Sequence, residues 1–304
     1  MRIVFMGTPD FAVPSLDILM KNGYDIVGVV TAADKMGGRG GKEKIESAVK
    51  KYALTYGLKV LQPEKLRDPE FIVQLKSLKA DLQVVVAFRM LPEMVWNMPP
   101  LGTINLHGSL LPAYRGAAPI HWAVINGEKE TGVTTFFLTH EIDTGDILMS
   151  SKLSIGENDT TGDIHDRMMV LGAQTILESL WKIQNGDYRL IPQDDSKASK
   201  APKLSFEICE IDFSKTSREV HNFVRGMSPF PAAWTRLNGE TLKIFKTTVV
   251  EQNSEEKAGT FLKKGKDALW ISCADSYVSV EDVQLQGKKR MLVRDFLNGY
   301  NHTI

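Results

Sequence analysis

The sequence predicts a two-domain α/β protein in which a helix-covered, mostly parallel sheet precedes a small β-barrel. Strand and helix signals alternate through the first half of the chain, as is typical of parallel sheets with helices on both faces. A polar, aperiodic segment at 193–202 is typical of a linker. Five short strand signals then follow, a pattern for which an OB-fold is the natural candidate. We therefore predict one domain at 1–187, a linker at 188–206 and a second domain at 207–304.

The individual elements are predicted from hydrophobic pattern. Short runs rich in valine and isoleucine indicate strands, and apolar residues that recur on one face indicate helices. Thr160 or Thr161 can cap the start of a long helix, which Asn185 and Gly186 end. The predicted strands of the first domain are 2–6, 25–31, 82–88, 102–106, 131–138 and 146–153, the last two antiparallel, and its other helices include 45–56 and 69–78. In the second domain a helix at 217–226 precedes strands at 235–237, 242–250, 259–262, 268–273 and 278–284.

The composition argues against a dedicated nucleic-acid binder. Lysine plus arginine (37) equal aspartate plus glutamate (37), so any RNA contact must come from local patches. Cys209 and Cys273 form neither a metal-ligand spacing nor a disulfide framework, which favours a reducing compartment. The apolar run that ends at Gly7 is too short for a signal peptide, and no stretch approaches the ~20 apolar residues of a membrane span. We expect a cytoplasmic monomer that binds no metal and contacts no membrane.

Asn105 and His107 form the strongest candidate for a chemical site. They end a predicted strand two residues apart, so both side chains point to one face of the sheet. In open parallel sheets, ligands bind at the carboxyl ends of the strands. The alternative is a strand end with a turn-forming asparagine and a buried structural histidine.

A carboxylate that follows a later strand could return to the same edge and orient His107. The loop after the strand at 131–138 offers Glu141, Asp143 and Asp146, and spacing alone does not choose among them. An amide N–H suits a developing oxyanion, and histidine can move protons near neutral pH. Because no nucleophile elbow accompanies these residues, direct acyl transfer to an external nucleophile is favoured over a covalent enzyme intermediate.

Several sequence motifs are spread over both predicted domains. Residues 6–12 are Met-Gly-Thr-Pro-Asp-Phe-Ala, residues 105–112 are Asn-Leu-His-Gly-Ser-Leu-Leu-Pro, and residues 114–120 continue that segment. Residues 142–146 are Ile-Asp-Thr-Gly-Asp, and residues 228–234 are Ser-Pro-Phe-Pro-Ala-Ala-Trp. In this order they resemble the N-terminal signature, the catalytic segment, the aspartate loop and the proline-rich turn before the C-terminal barrel of the methionyl-tRNA formyltransferase family.

The resemblance implies a Rossmann-like catalytic domain and an OB-like tRNA-binding domain. It also implies 10-formyltetrahydrofolate as formyl donor, initiator methionyl-tRNA as acceptor, and Asp143 as the catalytic acid beside Asn105 and His107. One departure is visible, because Phe88 and Arg89 stand where the family usually has tyrosine and glycine. The residues implied to border the folate are Ser109, Leu110, Leu111, Pro112, Val86, Phe88 and Arg89.

A glycine-rich basic segment, 34–44, follows the second predicted strand and suggests an RNA contact. It lacks the Gly-Lys-Ser/Thr ending of a phosphate-binding P-loop. By composition it could equally be a flexible surface insertion. The resemblance implies a loop that enters the tRNA acceptor stem, with Arg39 as the central contact and Lys35 and Lys42 beside it, and arginine suits this because its fork binds phosphate and stacks on bases.

Three alternative functions remain open. Formyltransferases that act on glycinamide ribonucleotide or on amino sugar nucleotides share the trio, but the former usually have one domain and the latter lack such a basic loop. A dinucleotide-binding oxidoreductase is disfavoured because Gly7 is followed by Thr-Pro-Asp rather than by further glycines. A non-catalytic RNA-binding protein would not need the trio.

Overall fold

The computed structural model describes residues 1–37, 41, 43–300 and 302, and these residues form two compact units. The first unit comprises residues 1–116, 132–153 and 165–200, and the second comprises 117–131, 154–164 and 201–304. The predicted fold class is confirmed, with a mixed, mostly parallel Rossmann-like sheet in the first unit and a separate antiparallel sheet in the second. The domain boundaries that we placed by composition stay a prediction.

A seven-stranded sheet organises the first unit, in the order β10-β9-β7-β6-β1-β2-β5. Strands β5, β2, β1, β6 and β7 run parallel, and β9 runs antiparallel to β7. The chain therefore moves outward from β1 in both directions, which makes a topological switch point between β1 and β6. The strands are β1 Arg2–Gly7, β2 Asp25–Val30, β3 Lys35–Gly37, β4 Glu43–Ile45, β5 Val60–Leu61, β6 Leu82–Val86, β7 Thr103–His107, β8 Arg115–Gly116, β9 Glu130–Phe137, β10 Ile147–Ser154 and β11 Lys200–Ala201.

Side-chain caps mark the starts of α2 and α3. Ser47 caps α2, its hydroxyl accepting the Lys50 N–H at 3.0 Å, and Asp68 caps α3 by accepting the Glu70 N–H at 3.0 Å. The predicted helix at 45–56 was wrong at its start, because Ile45 lies in β4 and the cap sits two residues later. The helices are α1 Val13–Lys21, α2 Ala48–Thr55, α3 Pro69–Ser77, α4 Glu93–Trp96, α5 Pro119–Ile125, α6 Thr161–Asn185, α7 Ser217–Met227 and α8 Val293–Gly299.

An apolar core supports the sheet of the first unit. Val4 and Met6 of β1 and Val85 of β6 pack with Phe71 and Leu75 of α3, and all five are buried. Burying such side chains stabilises a fold by roughly 1.5–3 kcal/mol each. This core therefore supports β1 and β6, the strands next to β7 in the sheet.

The second unit contains an antiparallel sheet and the helix α7. The sheet order is β12-β13-β16-β15-β14, with β17 beside β16. Thr216 and Glu219 form a capping box at the start of α7, and Val220, Val224 and Met227 of this helix enter the core. We predicted five strands here and missed the two-residue β17. The strands are β12 Ala233–Leu237, β13 Glu240–Val250, β14 Phe261–Lys264, β15 Ala268–Ser272, β16 Tyr277–Leu285 and β17 Met291–Leu292.

Candidate active site

Asn105 and His107 lie at the carboxyl end of β7. Asn105 pairs in register with Val85 of β6 and Phe136 of β9, which fixes its backbone in the middle of the sheet. Its position two residues before His107 in one strand puts both side chains on the same face. His107 is buried, whereas Asn105 is half-buried. Among the described residues, none forms a hydrogen bond with the Asn105 side chain, so its amide N–H groups are available to a ligand.

The two ring nitrogens of His107 face different groups. Nε2 lies 2.8 Å from the carbonyl oxygen of Tyr114, and because a carbonyl only accepts, Nε2 carries the hydrogen. Nδ1 points to the carboxylate of Asp143, with 3.7 Å between Nδ1 and Oδ2. The Tyr114 contact thus leaves Nδ1 as the nitrogen that faces the Asp143 carboxylate.

Of the three acids that the sequence left open, Asp143 is the one that the structure places beside His107. Its Oδ2 also accepts the backbone N–H of Gly116 at 2.9 Å. Asp143 has a φ of 57°, in the left-handed region that non-glycine residues rarely occupy. The surrounding loop must therefore hold the residue in this conformation.

The loop around Asp143 leaves little room for another backbone path. A Cβ atom added at Gly145 would lie 1.7 Å from the carbonyl oxygen of Phe137, which makes glycine necessary there. The side-chain amide of Gln193 donates to the carbonyl oxygens of Asp143, at 2.9 Å, and Gly145, at 2.8 Å. Sequence reasoning missed Gln193, because a lone glutamine in a polar segment carries no pattern.

The predicted folate-contacting turn, Ser109 to Pro112, follows β7 directly. The Ser109 hydroxyl donates to the carbonyl oxygen of Ala113 at 2.6 Å, and the Thr134 hydroxyl donates to the carbonyl oxygen of Ser109 at 2.7 Å. The Leu111 N–H in turn donates to the Thr134 hydroxyl at 3.1 Å. Ser109 and Leu111 are buried, and Leu110 and Pro112 are half-buried. These hydrogen bonds fix the conformation of the turn, and they engage the Ser109 hydroxyl, the Ser109 carbonyl oxygen and the Leu111 N–H within the protein.

Val86, Phe88 and Arg89 stand at and beyond the end of β6. Val86 is fully buried, and Phe88 packs against the core of the first unit. The exposed Arg89 donates to the carbonyl oxygens of Pro63 and Glu64, the latter at 2.7 Å. Arg89 therefore joins the strand end to the neighbouring loop, a structural contact that the family's usual glycine could not make.

β3 and β4, near the two ends of the basic segment at 34–44, form an antiparallel pair. The prediction of a flexible loop was therefore wrong at the ends of this segment. Lys35 is exposed in β3, whereas Arg39 and Lys42 lie outside the described residues. Asp34 anchors this pair, since its carboxylate receives Lys50 at 2.5 Å and Lys44 at 2.9 Å. Hydrogen bonds from Lys50, Gln62 and Lys44 hold the pKa of Asp34 well below its usual range.

The described residues provide neither a metal-binding cluster nor a membrane-spanning helix. Across the described residues, no cluster of three or more histidine, cysteine, aspartate or glutamate side chains could hold a metal ion. None of the described helices combines the length and apolarity needed to cross a bilayer.

Comparison with known proteins assigns the family. Residues 1–180 match the family described as formyl transferase, and residues 203–301 match its C-terminal domain family. The chain belongs to the formyl transferase family. Among its curated relatives, the methionyl-tRNA formyltransferase of Azobacteroides pseudotrichonymphae is 52% identical over 98% of this chain and 95% of that protein. The methionyl-tRNA formyltransferase of Parabacteroides distasonis is 49% identical over 99% of this chain and 96% of that protein.

Solved structures share the fold of this formyl transferase family member at low sequence identity. An N-formyltransferase from Helicobacter canadensis, in complex with folinic acid and dTDP-3-aminofucose, has a TM-score of 0.68 at 22% identity, covering 95% of this chain and 99% of that chain. HypX from Aquifex aeolicus, in complex with tetrahydrofolic acid, has a TM-score of 0.66 at 19% identity, covering 98% of this chain and 47% of that chain. At these identities the likeness shows the fold alone.

Proposed function

We propose that this enzyme transfers the formyl group of 10-formyltetrahydrofolate to the α-amino group of initiator methionyl-tRNA. The observation that carries the chemistry is the convergence of Asn105, His107 and Asp143 at the carboxyl edge of the sheet, with Asp143 3.7 Å from the imidazole. Similarity to methionyl-tRNA formyltransferases over nearly the whole chain supports the acceptor. Cytoplasmic location and a monomeric state belong to the same proposal.

The sheet edge fits a flat, partly apolar donor. The half-buried Leu110 and Phe88 offer apolar surface, and the Asn105 amide offers hydrogen-bond donors without a partner among the described residues. The folate supplies an activated formyl group on a nitrogen that can leave. Ser109, Leu110, Leu111 and Pro112 border it on one side, and Val86, Phe88 and Arg89 on the other.

Catalysis follows from the groups in the trio. The methionine amine attacks the formyl carbon, and the Asn105 amide donates a hydrogen bond to the oxygen on which negative charge develops. The positive charge of protonated His107 stabilises the same oxygen, while its ring nitrogens face Tyr114 and Asp143. His107, oriented by Asp143, moves the proton of the attacking amine toward the leaving nitrogen. Breaking the bond between that nitrogen and the formyl carbon releases tetrahydrofolate and formyl-methionyl-tRNA.

A formyl-transfer assay with three separate acceptors tests this function. We expect radiolabelled formyl to reach methionyl-tRNA but neither glycinamide ribonucleotide nor an amino sugar nucleotide. Reactions without folate and with uncharged tRNA are the controls. Preferential labelling of the ribonucleotide or the sugar would refute the acceptor, and labelling of none of the three would refute the activity.

The proposed tRNA contact at Arg39, flanked by Lys35 and Lys42, has its own test. Arg39→Ala is expected to raise the KM for methionyl-tRNA on the order of 10-fold, because an arginine contact to nucleic acid is removed. The KM for the folate donor should stay the same. Arg67→Ala, which removes another exposed arginine of the first unit, is the matched control. Equal KM values for Arg39→Ala and wild type would exclude this contact.

A further inference from the structure

Residues 191–200, which the sequence marks as part of a linker, are built into the candidate active site. Ile191 forms an antiparallel bridge with Ile147 of β10, through N–O distances of 2.8 and 2.9 Å. Further along, Gln193 reaches the aspartate loop, and Ser199 reaches the segment after the folate-contacting turn. This stretch therefore contacts both the loop that carries Asp143 and the segment that carries Tyr114.

The first contact acts on the backbone that carries Asp143. Both hydrogens of the Gln193 amide are used, one on the carbonyl oxygen of Asp143 and one on that of Gly145. A donor group that binds the carbonyl oxygens of residues 143 and 145 restricts the backbone between them. This restriction stabilises the left-handed conformation of Asp143, which a non-glycine residue rarely adopts.

The second contact fixes the orientation of that amide. Arg115 donates to the Gln193 side-chain oxygen from Nε, at 3.1 Å, and from Nη2, at 2.7 Å. Because a guanidinium only donates, the amide cannot flip without setting its NH₂ against Arg115. Asp195 then accepts from Arg115 at 2.8 Å, at an end of the network where its own side chain is 82% exposed.

The third contact reaches the other partners of His107 and Asp143. Ser199 accepts the Tyr114 N–H on its hydroxyl and the Arg115 N–H on its carbonyl oxygen, both at 2.9 Å. The carbonyl of Tyr114 binds His107, and the N–H of Gly116 binds Asp143. The same segment thus supports both groups that fix the geometry of the pair.

We propose that Gln193, oriented by Arg115, is a positioning residue that holds the Asp143 loop in the conformation required for formyl transfer. This inference rests on the proposed function for its kinetic consequence, but not for its structural one. Misplacing a catalytic group by about 1 Å can cost on the order of 100-fold in rate, so a loosened loop should lower kcat. The KM values of both substrates should stay close to those of wild type, because substrate contacts away from the loop are unchanged.

The test compares Gln193→Met with wild type in kinetics and in hydrogen exchange. Methionine keeps the length of the side chain and removes the donors. We expect kcat to fall on the order of 10-fold or more, KM for methionyl-tRNA to change less than about twofold, and amide exchange to rise in peptides that cover residues 139–146. Gln193→Glu keeps the shape of the side chain and replaces its NH₂ group by an oxygen that cannot donate. This variant allows the same kinetic and exchange measurements should the methionine variant not fold.

Two matched variants separate positioning from general destabilisation. Gln74→Met makes the same change at a half-buried glutamine that donates to Glu70 within α3, and should leave kcat and loop exchange unchanged. Asp195→Asn weakens the exposed end of the network, and a small effect is expected because exposed ion pairs contribute little. A Gln193 variant with wild-type kcat and unchanged exchange at 139–146 would overturn the inference. Should the wild-type enzyme formylate none of the acceptors, the proposed function fails, while the exchange measurement still tests the loop.

Discussion

Two buried histidines, one in each unit, differ in the groups that face them, and one of the two is proposed to be catalytic. His107 at the end of β7 is 6% exposed, and His221 in α7 is 3% exposed. Each has Nε2 near a backbone carbonyl oxygen, of Tyr114 at 2.8 Å and of Glu157 at 3.3 Å respectively. Burial and one contact are therefore shared.

The second ring nitrogen makes the difference. In His107 it lies 3.7 Å from the Asp143 carboxylate, whereas in His221 it lies 3.1 Å from the Thr247 hydroxyl. Burial lowers the pKa of His221, and the positive charges of Arg225 and Arg218 lower that pKa further. A buried histidine thus suits proton transfer when a carboxylate faces it, and suits a neutral structural role when it does not.

The largest expected effect comes from removing the two polar side chains at the end of β7. Asn105→Ala and His107→Ala should each lower kcat ~100-fold or more, because each removes a group proposed to stabilise the developing oxyanion. Steady-state formyl transfer measures the loss, and circular dichroism should show a retained fold. Near wild-type turnover in either variant would remove that residue from the catalytic trio.

A smaller loss is expected when only the charge beside His107 is removed. In Asp143→Asn the side-chain oxygen can still accept the Gly116 N–H, and asparagine tolerates the left-handed conformation. We expect kcat to fall between about 10- and 100-fold, since proton transfer through His107 weakens. A Glu141→Gln variant is the control for another acid of the same loop, and a larger loss there would contradict the choice of Asp143.

The smallest effect on turnover is expected at the second histidine. His221→Gln should leave kcat within about twofold while lowering the free energy of unfolding by roughly 1–3 kcal/mol, the cost of disturbing buried hydrogen bonds. In wild type the pKa of His221 is lower in the folded than in the unfolded state, where it is ~6.5. The unfolded chain therefore binds the proton first, and stability present above pH ~6.5 is lost as the pH falls below it.

Urea unfolding at pH 7.5 and pH 5.5 checks this linkage. The wild-type midpoint should fall between the two values, and the His221→Gln midpoint should fall less because glutamine does not titrate. If the urea midpoint fell equally in both proteins, the pH dependence of stability would come from groups other than His221. A loss of turnover comparable to that of His107→Ala in a folded His221→Gln variant would erase the contrast between the two histidines.

Hydrophobic pattern was enough to predict the class of fold and the strand that carries Asn105 and His107. When valine-rich strands alternate with amphipathic helices, a parallel sheet covered by helices buries the apolar faces of both. In a strand, side chains two residues apart lie on the same face, which places Asn105 and His107 together. The basic segment after β2 was found by composition, but its antiparallel base was missed. Each of its two strands has only three residues, too few to show an alternating pattern in the sequence.

The way in which the acid meets the histidine depends on contacts that form only in the folded chain. Glu141, Asp143 and Asp146 are equivalent by spacing, and Asp143 is selected by a left-handed backbone, a glycine that only close packing requires, and the Gln193 amide. Gln193 itself looked like linker, because a polar segment carries no periodicity from which its contacts could be inferred. Local pattern fixes what neighbours along the chain do, whereas hydrogen bonds between segments far apart in sequence depend on where the folded sheet brings them.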